Sequence, residues 1–181
     1  MRNILKNRTA LSTVVTTLII LVVSVLLAGV VTYFAINVTS TRVQEENLNL
    51  KYQHVWYNTT GGAQAAVLLT NTGGRDVVLN KIAVRGQVST WANVWYNTSA
   101  ITVGDLTPYN LNSTAPPAKY ASASTMPALI VKSGETMGIY IKSPDSISVN
   151  DIGLTVAISI FSSQAIYYKE TNVEADSTVV L

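Results

Sequence analysis

The sequence predicts an α+β protein in which a long, apolar N-terminal α-helix is followed by an antiparallel β-sandwich. Two observations carry this prediction. Residues 11–36 are apolar apart from scattered Ser, Thr and Tyr hydroxyls, whereas the rest of the chain contains short runs in which apolar and polar residues alternate. A continuous apolar run of this length is typical of a helix that can cross a membrane. Alternation is typical of strands with one buried face.

Composition narrows the possible functions. The 181 residues include 12 Lys and Arg against 10 Asp and Glu, and this net charge of +2 is too small for a nucleic-acid-binding groove. Charged residues make up 12% of the chain, about half of the usual ~25%. Cysteine is absent and the one histidine is His54, which excludes disulfide scaffolds, Cys/His zinc sites and any Ser-His catalysis not built on that imidazole.

The apolar run exceeds the roughly 20 residues that a membrane-spanning helix needs. Three cations precede it and a nearly balanced set of charges follows it. Those before it are Arg2, Lys6 and Arg8, and those after it are Arg42, Glu45 and Glu46. The positive-inside rule therefore places the amino terminus in the cytoplasm and everything after about Asn47 outside the cell.

The first ten residues, MRNILKNRTA, form a short basic leader that ends in the small residue Ala10, directly before Leu11 and the apolar run. In this order of features the first quarter of the chain resembles an archaeal type IV pilin with a class III signal peptide. Val15 stands where bacterial type IV pilins carry a glutamate, which fits the archaeal proteins better. The resemblance implies that a prepilin peptidase cuts between Ala10 and Leu11, on the cytoplasmic side.

Three segments follow from this reading. Residues 1–10 are the leader, residues 11–46 are a helix that spans the membrane and later forms a filament core, and residues 47–181 are an extracellular domain. Small residues line one side of the helix: Ser24, Ala28 and Thr32 are four positions apart, and Gly29 lies beside them. Such stripes predict close contact with other helices. The alternative is that the hydroxyls only bond to carbonyls of their own helix, one turn back.

Alternation is clearest in residues 152–161, where Ile152, Leu154, Val156, Ile158 and Ile160 share one face. Residues 128–132 and 137–142 flank Ser-Gly-Glu-Thr and predict a hairpin. Five further runs predict strands, at residues 48–57, 64–71, 76–85, 89–96 and 164–169. Seven or eight short strands between Gly, Asn and Ser turns indicate an antiparallel sandwich. The segment VLLTNTGGRDVVLNKIAV also resembles the Ig-like β-domain of archaeal pilins and archaellins. Residues 104–126, rich in Ser, Thr, Ala and Pro, predict a long irregular loop.

Asn-X-Ser/Thr sequons predict N-glycosylation at Asn58, Asn97 and Asn112. A fourth sequon, at Asn37, ends the apolar helix and is discounted. Two of the sites belong to an internal echo, VWYNTT at residues 55–60 and VWYNTS at 94–99. The echo has two readings: strand-end glycans that shield an aromatic surface, or core tryptophans followed by turn-forming asparagines.

A carbohydrate-binding role for the tryptophans is a further alternative, although core packing explains them more simply. The three are Trp56, Trp91 and Trp95. His54 has no Asp, Glu or Cys beside it in sequence, and the acids of the outer domain stand next to turn residues. The glycine pairs lack the lysine of a phosphate loop. We therefore predict no enzyme, no metal and no cofactor.

These observations predict a structural subunit of an extracellular archaeal type IV pilus, an adhesion filament that polymerises through the N-terminal helix. Its expected partners are other copies of itself in a helical homopolymer, the prepilin peptidase and pilus assembly machinery, and the cytoplasmic membrane before assembly; nucleic acid is not among them. One alternative is an archaellin of a motility filament. Another is a monomeric, membrane-anchored β-sandwich that acts as a binding protein.

Overall fold

The computed structural model describes residues 8–43, 45–59, 61–98, 106–109 and 119–176. The chain divides into two compact units, Met1–Val43 and Gln44–Leu181. The first contains the helix and the second contains all of the described strands. The α+β class predicted from the sequence is therefore confirmed.

Helix α1 spans Arg8–Val43, 36 residues. Its apolar part, Leu11–Thr41, is long and apolar enough to cross a membrane, and its side chains are not buried. Many of its residues are Val, Ile and Thr, which lower helix propensity in water. An apolar surrounding reverses that preference, because a helix satisfies its backbone N–H and C=O groups within itself. The helix is therefore suited to lipid or to a packed protein interior.

The described residues of the second unit form ten strands. They are β1 Leu48–Asn58, β2 Gly62–Asn71, β3 Val77–Val84, β4 Gln87–Ser89, β5 Val94–Asn97, β6 Ala121–Ser122, β7 Leu129–Val131, β8 Thr136–Lys142, β9 Thr155–Ser162 and β10 Ile166–Ala175. Short 3-10 turns at Trp91–Asn93 and Val149–Asp151 precede β5 and β9.

The strands form one curled, mixed sheet. Their order is β4-β3-β9-β10-β1-β2-β8-β5-β6, and β7 pairs with β3 beside this path. Among the described residues, β1 and β10 form the one parallel pair, with Val55 opposite Val173, and the other pairings are antiparallel. The prediction of a purely antiparallel sheet was therefore wrong at this pair. The first and last strands of the chain are thus neighbours in the middle of the sheet, and β4 and β6 form its two ends.

The concave side of the sheet encloses the main core. It consists of alternate residues from β2, β8 and β9, together with apolar residues from β1, β3, β5, β7 and β10. Its largest fully buried side chains are Leu69, Leu79, Ile82, Leu129, Met137, Ile139, Ile141, Ile158 and Ile160. Each such side chain contributes roughly 1.5–3 kcal/mol when it leaves water. The β-domain thus has a core of its own.

Several strand predictions need correction. The strand predicted at 89–96 is divided by the 3-10 turn Trp91–Asn93, which separates β4 from β5. The predicted hairpin of residues 128–132 and 137–142 does not form, because β7 pairs with β3 whereas β8 pairs with β2 and β5. The turn between them, with Gly134 at φ 76°, carries the chain from one part of the sheet to another. The strand predicted at 152–161 begins only at Thr155, and Ile152 and Leu154 are largely exposed.

The segment that leads into the domain is fixed by the Asn-Thr-Gly-Gly turn after β2. The backbone N–H groups of Thr72 and Gly73 both donate to the carbonyl of Asn47. Asn71, fully buried, donates through Nδ2 to the carbonyls of Arg75 and Val131 at 2.8 and 3.0 Å. A Cβ at position 73 would lie 2.5 Å from the carbonyl oxygen of Glu45, so only glycine fits.

Candidate functional site

The surface of helix α1 is the first candidate for an interaction site. Its large apolar side chains are exposed on every side, from Leu11 (70% exposed) to Phe34 (69%). A helix that is apolar all round is found in a membrane or in a packed protein interior. This surface therefore needs a cover that its own unit does not supply.

The small-residue stripe lies on this surface with its hydroxyl protons already used. Ser24 Oγ donates to the carbonyl of Ile20 at 2.7 Å, and Thr32 Oγ1 donates to that of Ala28 at 2.8 Å. These are the bonds within the helix that the sequence left open as an alternative. A Cβ at Gly29 would meet no atom within 4 Å. In the isolated chain, then, the stripe offers close approach without offering hydroxyl donors.

The predicted cleavage point lies in the first turn of the helix. Helix α1 begins at Arg8, so both Ala10 and Leu11 have helical backbone. A peptidase that cut between them would need this turn to unwind, because proteases act on extended backbone. The cleavage itself stays a prediction.

Two of the predicted glycosylation sites lie in the sheet and are mostly buried. Asn58 ends β1 and is 5% exposed, and Asn97 ends β5 and is 8% exposed. Asn58 Oδ1 accepts a hydrogen bond from the N–H of Gly61 at 3.4 Å. A glycan on either residue would require the amide to turn outward, so both sites stay predictions. Asn112 lies outside the described residues.

The repeated VWYN sequences lie in one part of the sheet. In both copies the valine is fully buried in the main core, and the tryptophan lies on the opposite face, in a second cluster with Ala66 and Tyr140. Trp56 is 4% exposed and Trp95 is 5% exposed. The reading of these tryptophans as packed residues is closer to the structure than the reading as an exposed sugar platform. They belong, however, to an outer cluster that the sequence did not predict.

Part of the predicted loop covers this outer cluster. Leu106, Tyr109 and Tyr120 pack on it. Two hydrogen bonds hold the cover: Tyr140 Oη donates to the carbonyl of Thr107 at 2.9 Å, and the N–H of Tyr109 donates to Oε1 of the buried Gln64 at 3.0 Å.

Burial is the main cause that raises the pKa of Tyr140 to about 12, and the neighbouring Tyr120 is the second cause. The neutral hydroxyl is therefore the form that the folded domain prefers. Leu106, Tyr109 and Tyr120 therefore form a packed cover over the outer cluster.

The one histidine has a partner that the sequence could not show. His54 Nδ1 lies 3.3 Å from Oε1 of Glu174, which belongs to β10, and the His54 ring stacks on Trp56 with 5.1 Å between ring centroids. The parallel pairing of β1 with β10 brings this acid to the histidine. The contact joins a side chain of β1 to a side chain of β10.

Among the described acids of the outer domain, Asp151 is the one that is buried. It is 6% exposed, and its Oδ2 accepts hydrogen bonds from the N–H and the hydroxyl of Ser148, both at 2.7 Å. Its Oδ1 lies 2.6 Å from Nη1 of Arg85. These hydrogen bonds from Ser148, and then the guanidinium of Arg85, lower the pKa of Asp151. In the part of the chain that the structure describes, no three His, Cys, Asp or Glu side chains lie close enough to bind a metal ion.

No protein-family model matches the chain, and no curated protein matches it. Among solved structures, one similar fold is that of the apo PmoF2 PCuAC domain, with a TM-score of 0.45 and 11% identity over 74% of this chain and 98% of that chain. Another is DesR, a β-glucosidase from Streptomyces venezuelae in complex with D-glucose, with a TM-score of 0.28 and 18% identity over 71% of this chain. The chain spans 15% of the length of DesR. Likeness at this level carries no argument about activity or ligand.

Proposed function

We propose that this chain is the structural subunit of an extracellular archaeal type IV pilus, which polymerises through its N-terminal helix. The observation that carries the proposal is the surface of α1: the Leu11–Thr41 span is apolar, long and not buried in its own unit. Exposed apolar surface of this size marks an interaction with lipid or protein. In the precursor lipid would cover the helix, and in the filament other copies would.

The length of the helix supports the second state. At 1.5 Å per residue the 31-residue span is about 46 Å long, whereas the hydrocarbon core of a bilayer is about 30 Å thick. Fitting it within that core would need a tilt near 50°, beyond the usual range of about 0–40°. An anchor for a single domain needs only about 20 of these residues. Contact along the whole length with neighbouring helices makes use of them all.

The order of leader, small residue and apolar helix supports the processing step. Cleavage between Ala10 and Leu11 would remove the three cations that hold the precursor at the cytoplasmic face. The prepilin peptidase and the pilus assembly machinery are then the expected partners. The precursor would reside in the cytoplasmic membrane, and the mature chain in a filament on the cell surface.

The β-domain would form the outer sheath of the filament. Its Ig-like character is part of this proposal and is supported by the Asn-Thr-Gly-Gly turn between two buried strands and by the antiparallel pairing of most strands. A heterologous contact between copies, repeated without closure, generates a helical polymer of this kind.

The test is electron microscopy of material sheared from native cells, together with mass spectrometry of the protein's amino terminus. Filaments built from a chain that begins at Leu11 are the expected result. Ala10→Phe should block cleavage and abolish filaments, and Ala10→Gly is the matched control because it keeps a small residue at the cut. A detergent-soluble monomer that begins at Met1 would contradict the proposal and favour an anchored binding protein. Filaments whose loss stops swimming would assign the chain to an archaellin.

A further inference from the structure

A cleft of about 440 Å³ lies between the first halves of β1 and β10. Four consecutive residues from each strand line it, with Thr72 beside them. From β1 and the residue before it these are Asn47, Leu48, Asn49 and Leu50, and from β10 they are Ile166, Tyr167, Tyr168 and Lys169. Since side chains alternate between the two faces of a strand, four consecutive lining residues mean that strand edges face the cleft.

The cleft exists because β1 and β10 pair only at one end. The parallel pairing covers Val55–Tyr57 and Val173–Ala175. Before it, β1 has a bulge between Lys51 and His54, where Tyr52 has a φ of 49°. A bulge bends the strand that carries it, so the two edges separate. At the bulge, one side-chain hydrogen bond joins the two strands, from Gln53 Nε2 to the carbonyl of Glu170 at 3.2 Å.

Each of these two strand segments has a hydrogen-bonded neighbouring strand on one side only. Residues 48–51 pair with β2 on one side, and residues 166–172 pair with β9 on the other. Among the described backbone hydrogen bonds, none joins these two stretches to each other. Two open edges that face each other are the arrangement into which an extended peptide adds as a strand.

The lining favours an uncharged, apolar strand. Lys169 is the one charged residue among the nine that line the cleft. On the inner side Leu48 and Leu50 are buried, while Ile166 and Tyr168 are more than half exposed at the rim. Tyr167 Oη donates to the carbonyl of Glu46, and this bond joins β10 to the segment that precedes β1.

We propose that this cleft binds residues 177–181 of a second copy of the chain as an added β-strand. That segment, Ser-Thr-Val-Val-Leu, has no charged side chain, and three of its residues are β-branched. Each subunit would thus bind the next by strand addition, in a head-to-tail contact. The contact would be a further interface between subunits of the proposed filament, and in this respect the inference rests on the proposed function. Two copies of the chain are enough to form the contact.

The segment of the same copy cannot reach the cleft. Residue 176 follows the far end of β10, and its N–H donates to the carbonyl of Tyr57. From there back to Lys169 is about 23 Å along the strand, at roughly 3.3 Å per residue. Five extended residues span at most about 18 Å. The occupant therefore has to come from another copy.

Disulfide trapping in the full chain tests the proposal, because the native chain contains no cysteine to compete. Val179→Cys would be mixed in equal amounts with Asn49→Cys or with Tyr168→Cys, one residue from each wall of the cleft. The expected result is a reducible dimer of the two different variants, at least tenfold more abundant than with the control Asn80→Cys. Asn80 is exposed on β3, away from the cleft.

Equal trapping with the control, or no trapping from either wall, would overturn the proposal. A double variant that carries both cysteines and forms only an intramolecular bond would also overturn it. As a second readout, a peptide of residues 176–181 should abolish trapping and slow hydrogen exchange of the amides of residues 48–51. Filaments without disulfide trapping would support the pilus proposal and contradict strand addition in the cleft. Trapping in a chain that forms no filament would support strand addition and contradict the pilus proposal.

Discussion

The Arg85 guanidinium and the Asp151 carboxylate are joined at 2.6 Å across the end of the β-domain, although the two residues are far apart in sequence. Arg85 follows β3 with a φ of 49°, and its Nη1 also donates to the carbonyl of Ser146 at 3.1 Å. Asp151 closes a capping box with Ser148 in the short turn before β9. The pair thus fixes the segment between β8 and β9 to the turn after β3.

We expect the domain to become less stable in acid, because the stabilisation from this ion pair is lost there. The folded pKa of Asp151 lies below its unfolded value, so the carboxylate stabilises the fold above pH ~4 and this contribution disappears as the pH falls through the lower, folded pKa. Asp151→Asn should lower the melting temperature at pH 7 and flatten its decline in acid. Circular dichroism melts from pH 7 to pH 2 measure this. Asp145→Asn, an exposed neighbour, is the control, and an equal effect of the two variants would contradict the assignment.

The buried hydroxyl of Tyr140 leads to a prediction about stability at alkaline pH. Its folded pKa of about 12 lies above the ordinary value of 10. The neutral hydroxyl therefore stabilises the domain fully below pH 10, and the stabilisation is lost as the pH rises towards 12. Tyr140→Phe should cost about 1 kcal/mol at pH 7, because the bond to Thr107 is lost, and should weaken the alkaline decline. Denaturant unfolding at pH 7 and pH 11 tests both effects, with the exposed Tyr168→Phe as control.

Gly73 should tolerate no side chain. The added methyl of Gly73→Ala would lie 2.5 Å from the Glu45 carbonyl oxygen and 2.7 Å from the Asn47 nitrogen, both backbone atoms. The turn would have to open, at a cost of about 1–3 kcal/mol. Thermal unfolding of the detergent-solubilised chain measures this loss. Gly29→Ala, which adds the same methyl where no atom lies within 4 Å, should leave the β-domain unchanged.

Ala28 tests the small-residue stripe. Ala28→Leu adds bulk where a neighbouring helix would approach, and an overpacking cost of about 1–3 kcal/mol per contact should lower filament yield about tenfold or more. Val30→Phe adds comparable bulk about 200° round the helix and should reduce the yield less. Both variants should still insert into membranes as precursors. Equal yields from the two, counted in electron micrographs, would show that the stripe is not the contact.

The helix and most strands could be predicted because their signals are local. The apolar run of α1 and the alternation in β9 need no knowledge of distant residues. The predicted hairpin failed because Ser-Gly-Glu-Thr specifies a turn but not which strands pair. The length of β10 was missed because its exposed Lys169, Glu170 and Glu174 do not alternate with apolar residues.

The sites depend on pairing between distant segments, which no local pattern encodes. Glu174 reaches His54 only because β1 and β10 are adjacent, and the cleft arises from their separation. The VWYN repeat did signal that Trp56 and Trp95 share an environment. It did not show which face they occupy, because face is fixed by the neighbouring strands.

The parallel pair of β1 and β10 also governs when the domain can fold. β1 is the first of the described strands to be synthesised, and its partner β10 is the last. The two strands cannot pair until all of the residues between them have been synthesised, and contacts between such distant segments form slowly. Until then the early strands would have unpaired edges, to which a strand of another chain could add.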